Sequence, residues 1–157
     1  MRKIIFLDID GVLNCASSPR TIRYEGYRLV GIDDDKVERL KQIVEATGAE
    51  IVLTSTWKAG WEKTDKDKQD VFGDTIDKVF ADHGLCVSDK TEEWHYRRGE
   101  GILEYMSEPT NFVILDDEPF DYEELNIDEF WVQTHFWDEN GGLQDSHIKE
   151  AIRILQI

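Results

Sequence analysis

Residues 3–14, KIIFLDIDGVLN, decide how the rest of this 157-residue chain is read. Lys3–Leu7 is one lysine followed by an unbroken apolar run, the pattern of a strand buried on both faces of a sheet. The run stops at Asp8, and Asp10 follows two positions later. Residues two apart in an extended chain face the same side, and Gly11 permits a tight turn directly after them. Two carboxylates therefore leave the tip of a buried strand together and can approach one substrate. A carboxylate can attack phosphorus to give an acyl phosphate, and a second can protonate the leaving oxygen and later deprotonate water.

Working outward, the same arrangement recurs twice. Ile51–Leu53 is a short buried strand ending in Thr54-Ser55-Thr56, and Phe112–Leu115 is another ending in Asp116-Asp117. Helical patterns lie between them. One starts at Asp33 or Asp34, carries Val37, Leu40, Ile43 and Val44 as an apolar stripe, and stops near Thr47 before Gly48. A second covers about Asp70–Asp82, a third Gly99–Met106, and a fourth begins at Asp145 or Ser146 and carries Ile148, Ala151, Ile152 and Leu155. Further short strands are expected at Leu85–Val87 and Phe130–Val132. This alternation predicts an α/β protein, a three-layer α/β/α Rossmann-like domain with a mostly parallel sheet spanning residues 1–157. In such sheets ligands bind beyond the carboxyl ends of the strands, so the three polar tips are expected to converge.

The chemistry of the tips is consistent with one reaction. Asp116 and Asp117 add oxygen ligands to those of Asp8 and Asp10, and Mg²⁺ takes one or two carboxylates together with substrate phosphate. Thr54 and Ser55 offer hydroxyl and backbone N–H donors to phosphate oxygens. Phosphoryl transfer also needs a fixed cation, for which Lys90, Arg97 and Arg98 are the candidates ahead of the FVILDD strand.

A formal net charge of −16 repels nucleic acid and anionic membranes, and makes a polyanionic substrate unfavourable unless a divalent cation reverses the local sign. The apolar start is not read as a signal peptide, since Asp8 and Asp10 interrupt it and no small-residue cleavage site follows. With Cys15 and Cys86 too few for a disulfide framework, the expectation is a cytoplasmic protein with reduced thiols.

Taken in order, DIDGVLN, IVLTST, a basic residue and VILDD resemble the four signature motifs of the haloacid dehalogenase (HAD) superfamily. TSTW at Thr54–Trp57, RGEGI at Arg98–Ile102 and GGL at Gly141–Leu143 resemble small members found with RNA-repair modules and in phage-like proteins. The resemblance implies a Mg²⁺-dependent phosphatase. Asp8 would be the nucleophile and Asp10 the general acid/base, whose backbone carbonyl also binds the metal. Thr54, with Ser55 beside it, would hold phosphate, and Arg98 or Lys90 would supply the cation. Asp117, with Asp116 next to it, would be the metal ligand. Gly101 stands where the subgroup pattern has Glu.

Residues 14–33 are too short for a helical cap but suit a small flap, so the site is expected to be open. It would admit a phosphorylated small molecule or a polymer end. Arg20, Arg23, Tyr24, Tyr27 and Arg28 in that flap are candidates for substrate contact. Trp57 and Trp61 could line a substrate pocket but are read first as packing over the sheet edge, and the four histidines as structural or exposed, with His95 the one nearest the basic pair. Two further readings remain beside the small-molecule phosphatase: a polynucleotide-end phosphatase, and an interaction module that keeps the fold without the chemistry.

Overall fold

A computed structural model describes residues 1–92 and 96–156. Its centre is a five-stranded sheet in the order β5-β4-β1-β6-β7, in which every neighbouring pair is parallel. The strands are β1 (Arg2–Leu7), β4 (Glu50–Leu53), β5 (Asp89–Lys90), β6 (Thr110–Asp116) and β7 (Trp131–Gln133). A separate antiparallel hairpin is formed by β2 (Thr21–Tyr24) and β3 (Tyr27–Val30). The helices are α1 (Asp34–Thr47), α2 (Val71–Asp82), α3 (Arg98–Tyr105) and α4 (Asp145–Leu155).

Alternation along β1 builds the two outer layers. Ile5 and Leu7 are fully buried in a cluster with Val37, Leu40 and Ile43 of α1, Ile76 and Phe80 of α2, and Ala151 and Leu155 of α4. Ile4 and Phe6 point the other way, into a smaller cluster with Ile102 of α3, Phe112, Ile114 and Tyr122. A strand covered on both sides must be apolar throughout, which is why KIIFL reads as a continuous run. The architecture is the three-layer α/β Rossmann-like core expected of the sequence. Among the described residues no helix is long and apolar enough to cross a membrane.

Local signals act where they were read, with two adjustments. Gly48 ends α1 in the left-handed conformation with φ 72°, and Asp70 caps α2 by accepting from the Phe72 N–H. The expected strand at Leu85–Val87 forms instead at Asp89–Lys90, because these two residues are the ones in register with Val52 and Leu53. The last helix is capped not by Asp145 or Ser146 but by Gln144, which makes a reciprocal capping pair with His147. The segment 14–33 carries the hairpin, turned at Glu25-Gly26, both with positive φ.

Candidate active site

Sheet register places the site. Leu7 pairs with Leu53 on one side and Leu115 on the other. The next residue of each strand is therefore Asp8, Thr54 or Asp116, and these three form a row across the carboxyl edge of the sheet. Backbone bonds lock the row: Asp8 N–H donates to the Leu115 carbonyl at 2.9 Å, and Thr54 N–H to the Leu7 carbonyl at 3.0 Å.

Above this row lies a cleft of about 550 Å³, lined by Asp8, Asp10, Arg98 and Asp117 together with Trp57, Phe120 and the hairpin residues Leu29 and Val30. Carboxylate oxygens of Asp8, Asp116 and Asp117 all lie within 4.8 Å of one another. Gly11 makes part of this approach possible. It has φ +88°, and a Cβ there would lie 2.4 Å from the Asp117 Cγ.

The two adjacent aspartates after β6 have different surroundings. Asp116 is fully buried, and its Oδ2 accepts from Arg98 Nη1 at 2.8 Å and from the Tyr122 hydroxyl at 2.8 Å. Its Oδ1 accepts from the Glu118 N–H. Asp117 faces the cleft, and burial, with Asp116 next, pushes its carboxyl up to about 6. Burial also raises Asp8 well above the ordinary carboxylate range, helped by Asp116 and opposed by Arg98. One guanidinium thus faces three clustered carboxylates, a charge imbalance that a bound cation relieves.

Arg98 is the basic candidate that reaches this cluster. Its Nη1 lies 3.1 Å from Asp8 Oδ1. Burial alone would lower its pKa, but Asp8 and Asp116 more than reverse this and keep it charged. The Phe120 ring packs on the guanidinium, with Cζ 4.2 Å from the centroid. Asp121 fixes the start of α3 by accepting from the N–H groups of Gly99 at 2.6 Å and Glu100 at 3.1 Å, which in turn fixes Arg98. Arg97 turns outward to Glu100 and Glu124. Lys90 donates to the carbonyls of Lys58 and Trp61 at 2.9 and 2.6 Å, tying down the turn after β4.

Thr54 and Ser55 also separate. The Thr54 hydroxyl is buried and has no hydrogen-bond partner among the described residues. A buried hydroxyl without a partner is costly, and its place beside Asp8 suits a ligand oxygen. Ser55 Oγ accepts from the Trp57 N–H at 3.1 Å and caps the following 3₁₀ turn, Thr56–Gly60.

Asp10 is held by two side chains whose roles here were not apparent from the sequence. Trp57 Nε1 donates to its Oδ2 at 3.1 Å, and Asn14 Nδ2 to its Oδ1 at 2.9 Å. Asn14 is itself fixed: its Nδ2 also donates to the Gly31 carbonyl, and its Oδ1 accepts from the Gly11 N–H. Both sequence readings of Trp57 hold: it packs on Phe72 and also faces the cleft, where it orients Asp10. Asn14 lay within the motif, yet only three-dimensional proximity shows its partner. Asp121 and Tyr122 carried no sequence signal beyond lying in an acidic turn.

The flap arginines do not line the cleft. Arg20 pairs with Asp34, while Arg23 and Arg28 sit opposite each other on the hairpin. Trp61 is buried, donates to Asp77 and belongs to the core. His95 lies outside the described residues.

A parallel sheet with an Asp-x-Asp turn after its central strand, a threonine tip on one side and an Asp-Asp tip on the other is a HAD-type core. The chain belongs to the family described as the HAD domain in Swiss Army Knife RNA repair proteins, which it matches over residues 4–148. No curated protein and no solved structure matches it.

Proposed function

We propose that this HAD domain is a Mg²⁺-dependent phosphohydrolase that cleaves phosphomonoesters through an aspartyl phosphate on Asp8. The observation that carries the reading is the unpartnered Thr54 hydroxyl in register beside Asp8, with Arg98 3.1 Å from the same carboxylate.

In the first step an Asp8 carboxylate oxygen attacks phosphorus, the bond from phosphorus to the ester oxygen breaks, and Asp10 donates a proton to the departing alkoxide. In the second, Asp10 takes a proton from water, the water oxygen attacks phosphorus, and the bond to Asp8 breaks. Inorganic phosphate leaves and both aspartates return to their starting states. Arg98 and Thr54 hold the equatorial oxygens during both displacements, where charge rather than covalent help limits the rate. Asp8 and Asp117, with Asp116 within reach, would hold Mg²⁺, and the family resemblance adds the Asp10 carbonyl to that set. The metal supplies the positive charge that lets a phosphate dianion enter a carboxylate cluster.

The family description favours a second reading, a phosphatase acting on a polynucleotide end. The net charge of −16 weighs against it. A module without chemistry is the least supported reading, because every motif carboxylate is present. The test is hydrolysis of a panel of phosphomonoesters with and without Mg²⁺, by wild type and Asp8→Asn. Mg²⁺-dependent release of phosphate that Asp8→Asn abolishes supports the proposal; full activity in that variant overturns it.

A further inference from the structure

The cleft holds more aromatic surface than phosphate chemistry uses. Tyr96, Phe120, Phe136 and Trp137 all line it. Tyr96 is 82% exposed and Trp137 84% exposed, so both rings stand open to water at the mouth of the proposed catalytic site. Exposed aromatic rings around a concave site are binding surface more often than accident.

Their order is informative. Arg98 Cζ lies 4.2 Å from the Phe120 centroid, and Tyr96 stacks on Phe120 at 6.4 Å with only 17° between the planes. A ladder of flat groups thus runs outward from the phosphate-holding guanidinium, and its last member is largely bare. Trp137 packs edge-on against Phe136 at 5.0 Å, and the Phe136 carbonyl is anchored by the Ala16 N–H. These two rings follow β7, while Trp57 follows β4 on the other side of β1.

Charge limits what else can enter. Among the described residues lining the cleft, Arg98 is the one basic side chain, against the acids Asp8, Asp10, Asp117 and Glu118. Arg98 is already engaged by Asp8 and Asp116. The cleft therefore has a place for one phosphoryl group and only carboxylates for a second.

Building on the phosphatase reading above, we infer that the substrate is a small phosphomonoester carrying a single phosphate and a planar aromatic ring about one sugar away, the chemistry of a nucleoside monophosphate. The ring stacks on Tyr96 or Trp137 while the phosphate rests on Thr54 and Arg98. Hydrolysis breaks the ester P–O bond, and water supplies the proton to the nucleoside hydroxyl and the oxygen to phosphate.

The test compares kcat/KM for adenosine 5′- and 3′-monophosphate, glycerol phosphate and a 5′-phosphorylated oligonucleotide, with Mg²⁺, in wild type, Tyr96→Ala and Trp137→Ala. Equilibrium dialysis of the same ligands against Asp8→Asn reads binding without turnover. A nucleotide should exceed glycerol phosphate in both measurements, and at least one ring deletion should cut that preference about tenfold, the scale of one lost stacking contact. Equal use and equal binding of nucleotides and glycerol phosphate, or a preference untouched by either deletion, overturns this inference and leaves the phosphatase reading standing. An oligonucleotide preferred over the mononucleotides, with affinity falling steeply in salt, overturns it in favour of a polymer substrate. If nothing is hydrolysed the phosphatase reading fails, and the dialysis result alone decides the ring preference.

Discussion

Replacing Trp57 by Phe should weaken the enzyme selectively for substrates with poor leaving groups. The indole Nε1 donates to Asp10 Oδ2 at 3.1 Å, and Phe keeps an aromatic ring against Phe72 while removing that donor. As Asp10 gives up its proton the acceptor becomes charged, and a hydrogen bond to a charged acceptor is worth about 1.5–3 kcal/mol. Asn14 still holds the other oxygen, so Asp10 stays in the site but loses one of its two orienting donors. If the whole bond is expressed in the transition state, proton donation slows by about ten- to a hundredfold. That lies inside the roughly 10²–10⁴ that a general acid contributes, so the bond is large enough to matter and too small to abolish catalysis. An alkoxide needs the proton; a p-nitrophenolate leaves without it. The assay is kcat/KM for glycerol phosphate and for p-nitrophenyl phosphate, and the ratio of the first to the second should fall about tenfold or more. Trp57 is buried, so the smaller ring also costs about 1–2 kcal/mol of stability, which a thermal melt reads separately. Equal losses on both substrates would mean that the indole only packs. No loss on either would mean that Asp10 does not depend on it, and the positioning argument would fail.

Thr54→Val removes a buried hydroxyl that has no partner among the described residues, so the free protein should gain about 1 kcal/mol while kcat/KM falls; a destabilised variant with unchanged activity would contradict this. Lys90→Met should lower the melting temperature by freeing the Lys58 and Trp61 carbonyls, with turnover largely kept, whereas Arg98→Lys keeps the charge but loses the planar fork and should cost much of the activity. The reverse pattern would make Lys90 the functional cation. Protonated His83 donates at 2.8 Å to the carboxylates of both Asp34 and Glu38, and these bonds raise its pKa. A raised histidine pKa gives stability that is fully present below the unfolded value of about 6.5 and is lost as pH rises through the folded value. Wild type should therefore exceed His83→Gln in melting temperature by more at pH 6 than at pH 9, and an equal gap at both would remove the ion pair from the account.

The fold could be read from the sequence because its central strand is buried on both faces. KIIFL, IVL and FVIL read as interior strands, and the polar residues that stop them mark the edge where the candidate site forms. What the sequence could not supply was register and side-chain partnership. That Leu7 aligns with both Leu53 and Leu115 depends on the assembled sheet, and this alignment separates buried Asp116, which braces Arg98, from Asp117, which faces the cleft. Choosing among Lys90, Arg97 and Arg98 required knowing which helix start points at Asp8, a direction set by Asp121 from a distant turn. Packing and cleft lining could not be separated for Trp57, because burial and hydrogen bonding to Asp10 leave the same apolar mark in sequence. The flap arginines were attractive only as charges near a motif, and the hairpin carries them away from the cleft.

Rapid quench of a single turnover with a ³²P-labelled phosphomonoester and Mg²⁺ asks most directly whether Asp8 is the nucleophile. The account predicts acid-stable, hydroxylamine-labile label on the peptide containing Asp8, decaying as phosphate appears and missing in Asp8→Asn. Phosphate released in a single turnover while that peptide never carries ³²P, and while tritiated borohydride puts no tritium on it, would contradict it.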